Sequence, residues 1–238
     1  IYVICEKSPS VRVFASDPTN SRLKDIRVYG LQDPRDLTAD SLTQQLYIVD
    51  PASDCVWRIA AADHTVDKFI TDVLPHTLSV TSGRLLVTTG SSLLLYGADG
   101  VRLQTIALPR YMEAEHAVET PRGTYIVCHT ERGADLRHGV SEVDGAGRAV
   151  RVYYDGPPGP GLNEPCHVTQ FAAGRRLLIA DLGNSRVLSL TSDLKLDRVL
   201  LTADHDKLDE EPWRLSVNEK TQRLVVGGGN SRVAVYRL

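Results

Sequence analysis

"IADLGNSRVLSL" at 179–190 and "VVGGGNSRVAVY" at 225–236 carry the same five residues, GNSRV, 46 positions apart. Each copy stands between two short apolar runs. Gly, Asn and Ser are turn residues, and a polar turn between two β-rich runs reads as a hairpin. A motif written twice at a fixed interval also demands a search for more copies, because a period of this length is the mark of a repeat architecture.

Working outward, the run after each turn recurs as "VRVF" from 11, "VWRI" from 56, "LLLY" from 93, "VSEV" from 140, "VLSL" from 187 and "VAVY" from 233. Each follows another β-rich run: "IYVIC", "LYIVD", "LLVTT", "YIVCH", "LLIAD" and "LVVGG". A third segment precedes most pairs: "PRDLTAD" (34–40), "PHTLSVT" (75–81), "EHAVET" (115–120), "PCHVTQF" (165–171) and "PWRLSVN" (212–218). A fourth, polar and alternating, follows them, as in "KDIRVYG", "VDKFIT" and "RAVRVYY". Four strands, a to d, in a unit of about 45 residues match the period of a β-propeller blade. The fold class expected is therefore all-β, a six-bladed β-propeller forming one domain over 1–238. Its first blade lacks inner strand a, and its last retains a, b and c. That places a missing strand, and further domains of the parent chain, upstream of Ile1. Within this frame GNSRV is the b–c turn, with Gly and Asn supplying positive φ and the Arg reaching toward a neighbouring blade. Trp57, in strand c, is expected in the core.

Composition narrows the role. With 27 Lys+Arg against 30 Asp+Glu, a globally basic nucleic-acid surface is excluded. The apolar runs are far short of the roughly 20 residues that span a bilayer, so no membrane span is expected. Four cysteines, Cys5, Cys55, Cys128 and Cys166, lack CxxC spacing and read as free thiols of a cytoplasmic protein. There is no G-x-S-x-G elbow, and Gly227-Gly228-Gly229 lacks the Lys and Ser/Thr of a phosphate loop, so those glycines read as turn punctuation. The "GPPGPG" stretch at 156–161 reads as a connection between blades.

The stretches "GPGLNEPCHVTQFAAGRRLLIADLGNSRVLSL" (159–190) and "PWRLSVNEKTQRLVVGGGNSRVAVYRL" (212–238), with "QDPRDLTADSLTQQLYIVD" (32–50) more loosely, resemble the NHL-repeat family of six-bladed propellers. The family pattern falls on Asn163, Pro165, Asp181, Asn184, Arg186 and Val187. Blades three and four depart from it: Gly90-Ser91-Ser92 replaces the Asn-Arg turn, and 129–139 is an insertion. The resemblance implies two kinds of function. Many members are interaction modules of tripartite-motif proteins that bind partner proteins or single-stranded RNA. A few propellers of this type are metal enzymes, such as the lyase that finishes peptide α-amidation. Fold alone does not choose between them.

The residues opening each inner strand look into the mouth of a propeller channel: Arg35-Asp36, His76-Thr77, Glu115-His116, Cys166-His167 and Trp213-Arg214. His76, His116, His129, His138, His167 and His205 map to that side of the blades, and His64 to the other. Three uses follow. A protein or peptide partner would be held by Arg35, His76, Tyr111, His116, His167, Trp213 and Arg214, with exposed Tyr111, Met112 and Trp213 as anchors and the loop 205–212 and insertion 129–139 at the rim. Single-stranded RNA would use the arginines and aromatics, against Glu113, Glu115, Glu131 and Asp135. A metal-dependent lyase or hydrolase would bind one divalent metal through His116 and His167, completed by Asp36, Glu115 or Cys166. In the plainest alternative each histidine donates to a backbone carbonyl at a blade junction. The protein or peptide module is the leading expectation, without a cofactor.

Overall fold

The computed structural model describes residues 1–5, 8–15, 22–40, 42–60, 62–133, 136–154, 160–203, 208, 211–229 and 232–238. The fold is an all-β, six-bladed β-propeller. The blades are antiparallel sheets laid out in chain order. The first is β1 (Tyr2–Ile4), β2 (Ser10–Phe14) and β3 (Arg22–Arg27). The second is β4 (Asp36–Asp40), β5 (Gln45–Asp50), β6 (Cys55–Ala60) and β7 (Val66–Thr71). The third is β8 (Thr77–Thr81), β9 (Arg84–Thr88), β10 (Ser92–Tyr96) and β11 (Arg102–Ala107). The fourth is β12 (Met112–Glu119), β13 (Tyr125–Glu131), β14 (Arg137–Val143) and β15 (Ala149–Tyr153). The fifth is β16 (Pro165–Phe171), β17 (Arg176–Asp181), β18 (Arg186–Thr191) and β19 (Leu196–Thr202). The sixth is β20 (Pro212–Asn218), β21 (Arg223–Gly228) and β22 (Val233–Arg237). The first sheet therefore holds strands b, c and d and the last holds a, b and c, as the strand count in the sequence implies. Among the described residues no helix is long and apolar enough to cross a membrane.

Two compact units share the chain, residues 1–89 with 94–104 and residues 90–93 with 105–238. Each is built on cores between consecutive sheets, which explains the apolar runs. In the first unit Leu46 and Ile48 of β5 face Val11, Val13 and Ile26, while their neighbours Tyr47 and Val49 face Leu85, Val87 and Leu94. In the second, Leu177 and Ile179 of β17 join Ile126, Cys128 and Val140, and Leu178 and Ala180 join Leu215, Leu224 and Val226. Successive side chains on a strand point to opposite faces, so a strand covered on both faces must be apolar at every position. The fourth strand of a blade is the outer edge of its sheet and is wet over most of its length. β11 accordingly exposes Arg102 through Thr105 and buries Ile106.

The b–c turns are set by buried carboxylates. Asp181 ends β17 and precedes a 3-10 turn at Leu182–Asn184, closed by Ser185 in the left-handed region at φ 46°. Ser185, not Gly183 or Asn184, takes the positive φ, correcting the sequence-based reading. Asp181 accepts Asn163 N–H at 2.8 Å, Asn184 Nδ2 at 2.9 Å and Arg186 Nε at 2.5 Å. Arg186 also donates to the Pro160 carbonyl at 2.9 Å, on the connection leading into β16. Residues 156–159 of "GPPGPG", and Asn230 and Ser231 of the second GNSRV, lie outside the described residues. Gly227 and Gly228 are strand residues of β21 and not turn punctuation.

Candidate functional site

Register identifies the position that matters. On the inner strands Asp36 pairs with Val49, Thr77 with Thr88, His116 with Cys128, His167 with Ala180 and Arg214 with Gly227. These are the second residues of the five dipeptides singled out in the sequence, and each lies opposite the last residues of strand b, level with its end, one step before it or, for His116, three steps before it. In β12, β16 and β20 the pairing slips just before that place, between Ala114 and His116, Pro165 and His167, and Pro212 and Arg214. Glu115, Cys166 and Trp213 are thus the extra residues of three β-bulges. A bulge re-aims the side chains around it, and bulges gather beside functional sites. The sequence hints at two of them, because Pro165 and Pro212 lack the N–H that a regular ladder would use.

In the first unit, Asp36 is buried and its carboxylate accepts Leu37 N–H at 3.0 Å and Leu78 N–H at 2.9 Å. The second bond crosses from β4 to the residue following Thr77 on the next inner strand. Arg35 is exposed and His76 half-buried, with its amide bonded to the Thr88 carbonyl at 2.7 Å.

The second unit repeats that clamp with a different side chain. His116 Nδ1 accepts Val168 N–H, the residue following His167, at 3.4 Å. His167 stacks on His116 with ring centroids 3.7 Å apart and planes 25° from parallel. By analogy with Asp36 and His116, His167 would accept from Leu215 on β20; its Nδ1 instead has no hydrogen-bond partner. His116 Nδ1 is thus an acceptor from a backbone amide and not a donor to a carbonyl. The two imidazoles are 2% and 8% exposed, which removes them from any surface that a macromolecule would touch. Burial, then His116 and Arg214, hold the His167 pKa well below the usual histidine value, so the ring is neutral at pH 7.

Around this pair, Cys166 turns away: its thiol lies 3.4 Å from the Pro212 and Trp213 carbonyls. Burial pushes its pKa up to about 12, and all four cysteines are free, so it is an inert thiol and not a ligand. Arg214 Nη1 donates to the Trp213 carbonyl at 2.9 Å. Trp213 is 41% exposed and its indole lies over Gly229, where an added Cβ would come within 3.1 Å of Nε1. Tyr111, before β12, is 44% exposed, and its carbonyl accepts Arg132 N–H at 2.7 Å. Met112 is buried, which corrects its expected exposure. Glu113 pairs with Arg132 at 2.8 Å, and Glu131 accepts the Tyr154 hydroxyl at 2.5 Å.

Sequence reading missed one buried pair. His129 Nε2 lies 2.7 Å from Ser141 Oγ, and both residues are fully buried. The signal was Gly139, directly opposite His129 in the ladder, where an added Cβ would meet the imidazole at 3.0 Å. His205 and most of the loop 205–212 lie outside the described residues.

Comparison with known proteins finds no matching family model and no matching curated protein sequence. Solved structures match in fold. Hydrazine synthase of Kuenenia stuttgartiensis is similar over 100% of this chain and 80% of its own, at TM-score 0.73 and 15% identity. A chain of the nidogen/laminin complex is similar over 98% and 92%, at TM-score 0.66 and 15% identity. Streptogramin B lyase is similar over 86% and 68%, at TM-score 0.58 and 14% identity. Such likeness carries the propeller fold alone.

Proposed function

We propose that the chain is a single NHL-type propeller domain over 1–238 that serves as an interaction module for a protein or peptide partner. The observation that carries this reading is Trp213. A β-bulge lifts it out of the ladder and leaves 41% of it exposed, with Arg214 beside it. Trp, Tyr and Arg are the side chains that most often dominate binding energy. Tyr111 offers a second exposed aromatic at the same end of its own blade. The fold is in keeping with this role, and one similar structure is itself a complex of two proteins. RNA binding has less support, because Glu113 already neutralises Arg132 and the net charge is −3.

The test is selection from a displayed peptide library against the purified chain, beside a titration with a single-stranded oligouridine. The reading expects an enriched peptide family whose affinity falls at least about tenfold in Trp213→Ala, with the unfolding curve unchanged. Binding of oligouridine alone, weakened by Arg214→Ala, would transfer the role to RNA. Peptide binding indifferent to Trp213→Ala, Tyr111→Ala and Arg214→Ala would sink it.

A further inference from the structure

Asp36 and His116 make the same clamp between inner strands, and His167 Nδ1 in the equivalent place does not. Asp36 and His116 each accept a backbone N–H of the next inner strand, from Leu78 and Val168. His167 occupies the same register place, yet its Nδ1 is buried with no partner. A buried polar atom without a partner is destabilising. Such a cost persists where the atom has another use. The atom belongs to an imidazole stacked on a second one, with a ring nitrogen of each within 4.8 Å of the other.

We propose that His116 and His167 bind a divalent first-row transition ion of the zinc class through their ring nitrogens. This site is separate from the exposed Trp213 surface and does not rest on the partner-binding reading. Imidazole is a borderline-soft donor suited to zinc and its neighbours, and the two rings are already side by side, so that tilting them out of their stack would bring both lone pairs onto one ion. The orphaned Nδ1 of His167 gains a partner on binding. His116 has to release Val168 N–H, and at 3.4 Å that bond is the weakest of the clamp, so the exchange is cheap. Cys166 contributes nothing, because its thiol points at the carbonyls of β20. A bound ion would supply Lewis-acid chemistry or an activated water.

The test uses the full chain stripped with chelator and titrated with Zn²⁺ by calorimetry and with Co²⁺ by absorption. One equivalent is expected, with visible Co²⁺ bands, and the Val168 amide resonance should shift on loading. His167→Gln should weaken binding on the order of a hundredfold, and His116→Ala with His167→Ala should abolish it. His64→Ala and His138→Ala are controls that should bind as the parent does. Circular dichroism of each variant separates loss of ligand from loss of fold. A folded parent chain that takes up no ion would overturn the proposal, as would uptake that survives both histidine substitutions.

Discussion

The b–c turns of the second and fifth blades correspond residue for residue, and they solve one problem with different partners. Asp50 and Asp181 each end strand b, and each is followed by a single 3-10 turn, Pro51–Ser53 or Leu182–Asn184, and a left-handed residue, Asp54 or Ser185. Ser53 Oγ donates to Asp50 at 2.7 Å and to the Gly30 carbonyl at 3.3 Å. In the fifth blade Asn184 Nδ2 does the same, to Asp181 at 2.9 Å and to the Gly161 carbonyl at 2.8 Å. The approach segments also match, with Gln32 and Asp33 amides on Asp50 at 2.9 Å and the Asn163 amide on Asp181 at 2.8 Å. They part at the last donor. Asp181 meets the guanidinium of Arg186, whereas Cys55 stands at that place in the second blade and Trp57 Nε1 donates to Asp50 at 3.2 Å. What the repeat keeps is a buried carboxylate surrounded by donors; whether the last donor carries charge is free to vary.

The largest effect expected is the removal of the charged case. Asp181→Ala leaves Arg186 largely buried without its carboxylate, and breaking such a pair costs about 3–5 kcal/mol. Asp50→Ala strands neutral donors only and should cost about 2 kcal/mol. Urea unfolding of the two variants gives the order. Adding Arg186→Met to Asp181→Ala should return most of the loss, because no unpaired charge then remains. Equal losses in the two blades, with no recovery in the double variant, would break the contrast.

A second contrast is between a buried charge that is supplied with donors and a buried base that is not. Burial works against the charge of Asp50, but Ser53, the Asp33 and Gln32 amides and Trp57 outweigh it and hold its pKa below the ordinary value. His129 has one hydroxyl partner, and burial, against a smaller pull from Glu131 and with a further push from His138, takes it down to about 4. A base whose folded pKa is depressed stabilises the fold fully above its unfolded value of about 6.5 and loses that contribution as pH falls toward 4. The loss should approach about 3 kcal/mol. Unfolding free energies measured from pH 7 to pH 4 should fall in the parent chain and fall less in His129→Gln. An equal slope in both would place the acid sensitivity elsewhere.

These contrasts show which features were legible in the sequence. The six copies were plain because strands b and c are covered on both faces and must be short apolar runs. Trp57 was placed in the core correctly, and the structure adds why an indole is there: its Nε1 serves Asp50. The identical GNSRV copies misled in one respect. Gly228 stands where the fifth blade has Asp181, so the same letters are set on different supports. The bulges at Glu115, Cys166 and Trp213 were invisible, since one extra residue alters a register without altering composition. The dipeptides were found, but which member is buried and which is lifted out is decided by that slip. The stacking of His116 on His167 depends on two strands 51 residues apart in sequence, beyond any local pattern.

Trp57→Phe sharpens the comparison more finely. It keeps an aromatic ring in the core with Ile48 and Ile59 and removes one donor from Asp50. The three remaining donors still satisfy the carboxylate, so the expected cost is about 1 kcal/mol by urea unfolding. A cost near that of Asp50→Ala would mean the indole N–H is to Asp50 what Arg186 is to Asp181.

The smallest effect concerns the residue that closes each turn. Ser185 and Asp54 sit at φ 46° and 48°, a region that costs an L-residue about 1–2 kcal/mol relative to glycine. Glycine there relieves the strain but adds freedom to the unfolded chain, worth about 0.4–1 kcal/mol the other way. Ser185→Gly and Asp54→Gly should therefore each leave stability unchanged or raise it by about 0.5 kcal/mol. Neither side chain has a bond to its carboxylate, so the two values should agree. Disagreement would show that the turns differ in backbone as well as in their last donor, and the equivalence drawn between the two blades would then hold for side chains alone.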